Sequence, residues 1–253
     1  MATIAEPMPR AAKRRDRFFL ILSLAMSAVI IAGFSLNLAL GRSSFALPLI
    51  YHLHAFVFFG WILLFLTQNF LIASGNVQLH RTLGWLSLVW VPLMLVMGTL
   101  VVLQSLRTHG GPPFFDLREF LFGNPAGLLC FAGLVLAAVT VRGRSDWHRR
   151  LMICATAVLT GPGFGRLLPV PFMIPWSWTV ASLVAPLLFP LIGIIGDLVR
   201  TRRVHPAWLW GVAAMAGANL VAEAIAYTPL GAAAARAVVA GTPGDRPFAA
   251  HFP

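Results

Sequence analysis

Residues 50–73 read IYHLHAFVFFGWILLFLTQNFLIA and contain no Lys, Arg, Asp or Glu. At about 1.5 Å rise per residue, a helix of that length crosses the roughly 30 Å hydrocarbon core of a bilayer. Comparable runs lie at 18–40, 83–106, 121–141, 151–168, 176–199 and 207–227. Of the 253 residues 58% are hydrophobic and 11% charged, against roughly 25% charged in a soluble domain. The expected fold is all-α, a polytopic transmembrane bundle of seven helices. It divides into a basic tail at 1–17, the seven-helix domain at 18–227 and a second tail at 228–253. The basic start, Arg10 to Arg17, leads into a run too long for a secretory signal core, so that run reads as the first span.

Thirteen of the 19 basic residues fall on one side of these seven spans. They are Arg10, Lys13, Arg14, Arg15 and Arg17, then Arg81, then Arg142, Arg144, Arg149 and Arg150, then Arg200, Arg202 and Arg203. The other side holds Arg42, Arg107, Arg118, Arg166, Arg236 and Arg246. By the positive-inside rule the N-terminus is cytoplasmic and the C-terminus outside, as expected of a multi-pass protein of the cell inner (plasma) membrane. The net charge of +11 is thus a topology signal and a contact for anionic lipid, not a nucleic-acid surface.

This topology sorts the histidines by depth. His80, His148 and His205 precede the third, fifth and seventh spans on the inner side, and the first two share His-Arg-x-Leu. Three rings at one depth, one per helix, are candidates for a shared transition metal or a non-covalent haem, with Asp146 and Asp197 to orient them. Taken singly, such histidines more often cap helices or bond headgroups, and such aspartates more often pair with neighbouring arginines.

The outer layer gathers Asn37, His52 and His54 with Asn219, Glu223 and Tyr227, the last three four residues apart on one helical face. An acidic group inside a span needs a donor, and His54 is the expected partner of Glu223. The alternative is a Glu223 at the headgroup edge, facing water. His52 and His54 are two apart and face different ways, so His52 reads as a boundary residue. Between the layers, Gln68 and Asn76 are candidates for a relay or for helix packing.

Gly161-Pro162-Gly163-Phe164-Gly165 interrupts the fifth span. The simpler account is an early helix end followed by a stiff outer loop; the other is a broken helix that shows its backbone to a ligand. Pro92, Pro186 and Pro190 are expected to bend the third and sixth spans. Residues 109–120 read as an outer loop or interfacial segment, and Ala232 to Val239 as a brief helix in an otherwise irregular tail.

His54-Ala55, Trp61, Gln68, Gly75-Asn76, His80-Arg81 and Gly84-Trp85, with Trp147-His148-Arg149-Arg150 further on, resemble a family of uncharacterised bacterial multi-span membrane proteins. The main resemblance covers about residues 51–90. It implies a membrane protein but no particular reaction, and it directs attention to His54, Gln68, His80 and His148.

No Cys-x-x-Cys-His, phosphate-binding loop, His-Glu-x-x-His or Gly-x-Ser-x-Gly is present. Three functions remain: redox chemistry through haem or metal at the inner histidines, small-molecule or ion transport through the outer polar pocket, and a structural or assembly role beside another membrane protein. The first ranks ahead, because layered histidines are a more specific signal than a kink.

Overall fold

The structure, a computed structural model, describes residues 10–252. Among them the regular structure is entirely helical. In chain order come α1 (Arg10–Ala39), α2 (Leu49–Ser74), α3 (Val77–Gly84), α4 (Ser87–His109), α5 (Leu117–Thr140), α6 (Ser145–Val158) and α7 (Gly161–Leu167). A 3-10 turn (Val170–Met173) leads to α8 (Ser177–Thr179), which continues as a π turn over Val180–Val184. The chain closes with α9 (Leu188–Thr201), α10 (Pro206–Ala226) and α11 (Pro229–Val239). Five helices, α1 from Arg17 onward with α2, α4, α5 and α10, are long and apolar enough to cross a membrane. A sixth span is added if Ser177–Val184 and Leu188–Thr201, bent by 40°, count as one.

α2 shows why the bundle belongs in lipid. Val57, Trp61 and Phe65, four residues apart, are buried on one face. Phe56, Leu63 and Phe70, seven apart, lie 71%, 68% and 61% exposed on another. Water would penalise that second stripe, whereas hydrocarbon solvates it.

Local chemistry adjusts the expected boundaries. Asp116 caps α5 by accepting from the Arg118 amide at 2.9 Å, so the helix starts at Leu117 rather than 121 and absorbs part of the expected 109–120 loop. Asn76 caps an additional short helix, α3, by accepting from the Leu79 amide, and the third span becomes Ser87–His109. Pro186 lies at the bend before α9, while Pro92 is accommodated inside an unbroken α4. α11 begins at Pro229, three residues ahead of the expected tail helix.

The Gly-Pro-Gly segment is neither a loop nor the end of a helix. α6 stops at Val158, and after Leu159 and Thr160 the chain resumes as α7, which packs along α1. A Cβ on Gly33 would lie 2.5 Å from the Gly163 carbonyl oxygen, and one on Gly163 would lie 2.9 Å from that of Val29. Two helices meet backbone to backbone there, which only paired glycines permit. The interruption is thus a broken helix: Gly163 packs on α1, while Gly161, Pro162 and Gly165 line a cavity.

α5 occupies the centre, against α4, α6 and α10, while α1 packs on α2 and α7. One end of the bundle is basic. There Arg150 of α6 donates to both carboxylate oxygens of Asp197 on α9, at 2.9 and 2.7 Å, and the Trp208 indole of α10 donates to the same carboxylate at 2.9 Å. Phe19 of α1 stacks on Trp208 beneath it. At the opposite end the chain after α11 folds back over the α4–α5 connection. Arg246 donates to the carbonyls of Gly110, Pro112 and Phe115, and the Phe248 carbonyl accepts from the Leu117 amide.

Candidate ligand-binding cavity

Opposite the basic end, the second half of α1, the first turns of α2, the end of α4 and parts of α5, α7 and α10 enclose a cavity of about 1060 Å³. It exceeds the roughly 300–1,000 Å³ typical of small-molecule sites. Its walls are mainly apolar and rich in aromatic rings, Phe34, Phe58, Phe115 and Trp178 among them. Phe45 and Phe172, 80% and 78% exposed, also line it and mark where it opens to the surface.

Four of the five residues expected in an outer polar pocket line this cavity: Asn37, His52, His54 and Asn219. Glu223 does not line it. Its partners are the Thr179 hydroxyl at 2.9 Å and the Asn219 amide at 2.8 Å, and not His54. The reason is the turn at 177–184, which lays Thr179 and Ser182 along the polar face of α10, so that the carboxylate is met locally. Ser182 donates to Asn219 at 3.1 Å, and Tyr227, next on that face, donates to Glu119 of α5 at 2.8 Å. His52 is exposed and bonds the Leu47 carbonyl at 3.1 Å, as befits a boundary residue. His54 stacks on Phe58 at 4.1 Å, with its Nδ1 buried and unpartnered.

Arg166, on α7, is a feature that the sequence reading passed over. It lines the cavity and lays its guanidinium over the Phe34 ring at 4.1 Å. Nη1 donates to the Pro162 carbonyl at 2.8 Å, and Nε is buried without a partner. Among the described residues no carboxylate lies within ion-pairing distance of it. A cation inside a run of apolar sequence is itself the signal that could have singled it out. Glu119 was missed as well, although Asp116-x-x-Glu119 follows the pattern of a capping box.

At the basic end the three histidines do not form one site. His80 and His148 meet edge to face, with ring centroids 6.1 Å apart. His205 instead caps α10, its Nδ1 accepting from the Ala207 amide at 3.2 Å while its ring packs on Trp147. Among the described residues no three His, Cys, Asp or Glu side chains are grouped as a metal would need. The two rings differ in tautomer. His148 donates Nδ1–H to the Ala138 carbonyl at 2.9 Å, as a metal-bound ring would. With the Gln68 amide turned so that its O and N both find partners, His80 Nδ1 instead accepts from it, an arrangement that places the ring proton on Nε2. Burial, and after it the adjoining His148, hold His80 below the ordinary histidine value, so this ring is neutral at pH 7.

Gln68 also bonds the His80 carbonyl at 3.0 Å and the Gly84 amide at 3.1 Å. Together with the Asn76 cap, these bonds tie α3 to α2, so both residues take part in packing. Asp146 and Asp197 pair with Arg149 and Arg150 rather than orienting the histidines. Comparisons with protein-family models, curated proteins and solved structures give no match to this chain.

Proposed function

We propose that this is a multi-pass membrane protein whose work is to bind a small apolar molecule in the cavity opposite its basic end. The observation that carries the reading is the cavity itself: about 1060 Å³ of aromatic-walled space with a few convergent polar groups. Seven spans follow if α6 with α7 makes the fifth and the bent pair at 177–201 the sixth. The gathering of basic residues at one end supports a cytoplasmic N-terminus and, with it, a cavity in the outer half of a bacterial inner membrane. The resemblance over residues 51–90 to bacterial multi-span membrane proteins agrees with that setting. Haem or metal binding finds no support in the divided histidines, and binding in the cavity is a step that a carrier would share.

The test uses the purified full chain in a neutral detergent and an uncharged solvatochromic dye. Saturable binding of one dye per chain is expected, and Ser105→Trp, which places a large ring in the cavity lining, is expected to abolish it. Equal binding by a well-folded Ser105→Trp protein would overturn the reading.

A further inference from the structure

Three side-chain nitrogens among the described residues are buried without a hydrogen-bond partner: His54 Nδ1, Arg166 Nε and Trp178 Nε1. All three residues line the same cavity. Buried polar atoms are ordinarily satisfied, so three orphans on residues around one cavity stand out. Two of the three, the guanidinium N–H and the indole N–H, can only donate. The third belongs to the His54 ring, which stacks on Phe58 at 4.1 Å.

The charge of Arg166 gives the sign. Of the other buried and half-buried arginines, Arg118 holds Asp116 at 2.8 Å, Arg150 holds Asp197 at 2.7 Å, and Arg246 is met by the carbonyls of Gly110, Pro112 and Phe115. Arg166 has one carbonyl, an aromatic face and no carboxylate. A desolvated cation without a counter-charge is costly, and the ligand is the remaining source of one.

Resting on the cavity reading above, we propose that the bound molecule is a single-chain amphiphile with a carboxylate head, the head on Arg166 and the chain along the aromatic walls. One buried guanidinium matches one negative charge. A carboxylate offers only acceptors, which is what the Arg166 and Trp178 N–H groups require. The apolar lining and the size of the cavity suit a hydrocarbon chain rather than a small hydrated anion.

The experiment compares oleate with oleyl alcohol, which has the same chain and no charge, on the full-length protein in a neutral detergent. The wild type is expected to bind one oleate per chain at least ten-fold more tightly than the alcohol. Arg166→Gln is expected to weaken oleate binding and so remove that preference, and Arg166→Lys to restore part of it. Equal wild-type affinities for the two would overturn the carboxylate assignment while leaving the cavity reading intact, and that comparison needs no variant. Failure of both ligands to bind, together with failure of the neutral dye, would overturn the cavity reading as well. Acetate or inorganic phosphate displacing oleate at similar concentrations would overturn the amphiphile in favour of a free anion. Phosphatidylglycerol competing as well as oleate would overturn the single chain in favour of a membrane lipid.

Discussion

Arg150 and Asp197 face each other across α6 and α9 with two hydrogen bonds, and both side chains are about nine-tenths buried. The Trp208 indole on the same carboxylate turns this pair into a junction of three helices. Breaking one half of a buried pair leaves a stranded charge, which costs about 3–5 kcal/mol. Asp197→Asn is therefore expected to lower the thermal midpoint of the solubilised protein sharply. Removing both charges, as Arg150→Met with Asp197→Leu, is expected to recover much of the loss. Equal midpoints for Asp197→Asn and the wild type would refute the junction.

The contact of Gly33 with Gly163 leaves no room for a side chain. Gly163→Val forces α7 away from α1 and is expected to cost about 1–3 kcal/mol, the usual range for overpacking. Because α7 carries Arg166, the same variant is expected to weaken ligand binding in the cavity. Gly133→Ala is the control: a Cβ there meets nothing within 4 Å, and a helical Gly→Ala change gains up to about 1 kcal/mol. Thermal unfolding of both variants checks the contrast.

His80 gives the protein an acid sensitivity with a defined sign. Its folded-state value lies below the ordinary 6.5, so the unfolded chain takes up the proton first as pH falls. Stability from this group is complete above about pH 6.5 and declines below it. His80→Gln is expected to flatten the fall in thermal midpoint between about pH 7 and pH 5, relative to the wild type. A slope unchanged by the substitution would place the acid sensitivity elsewhere.

Tyr227 donates to Glu119, which is 8% exposed and has no other side-chain hydrogen-bond partner among the described residues. Tyr227→Phe leaves that carboxyl short of a donor, at an expected cost of about 1–3 kcal/mol. In a Glu119→Leu background the same change is expected to cost far less. A double-mutant cycle on thermal stability measures the coupling, and additive losses would show that the bond contributes nothing.

What the sequence could show was depth. Apolar length marks where a helix crosses, so His54 and Asn219 could be assigned to one layer and His80 and His148 to another, and each pair does lie at one end of the bundle. What it could not show was azimuth, the direction in which a residue at a given depth points. His205 has the depth of His148, yet the rotation of α10 that starts at Pro206 makes it a cap. Glu223 has the depth of His54, but a bent segment whose course depends on Pro186 supplies nearer donors. Glycines 161 to 165 look like a break from within the chain; that they form a contact depends on Gly33, far away in sequence. The polar side of the cavity was legible through Asn37, His52, His54 and Asn219, whereas Arg166 and Trp178 escaped because they reach it from other helices.

The clamp formed by Arg246 imposes an order on assembly. The guanidinium holds the carbonyls of Gly110, Pro112 and Phe115, and the last of these lies 131 residues earlier in the chain. While the ribosome makes the intervening helices, those carbonyls have no such donor, and the loop that carries Phe114 and Phe115 over the cavity is not yet pinned. The cavity is therefore finished late, by a segment that contributes little to its lining. Translation closes the site only after every helix around it has been laid down.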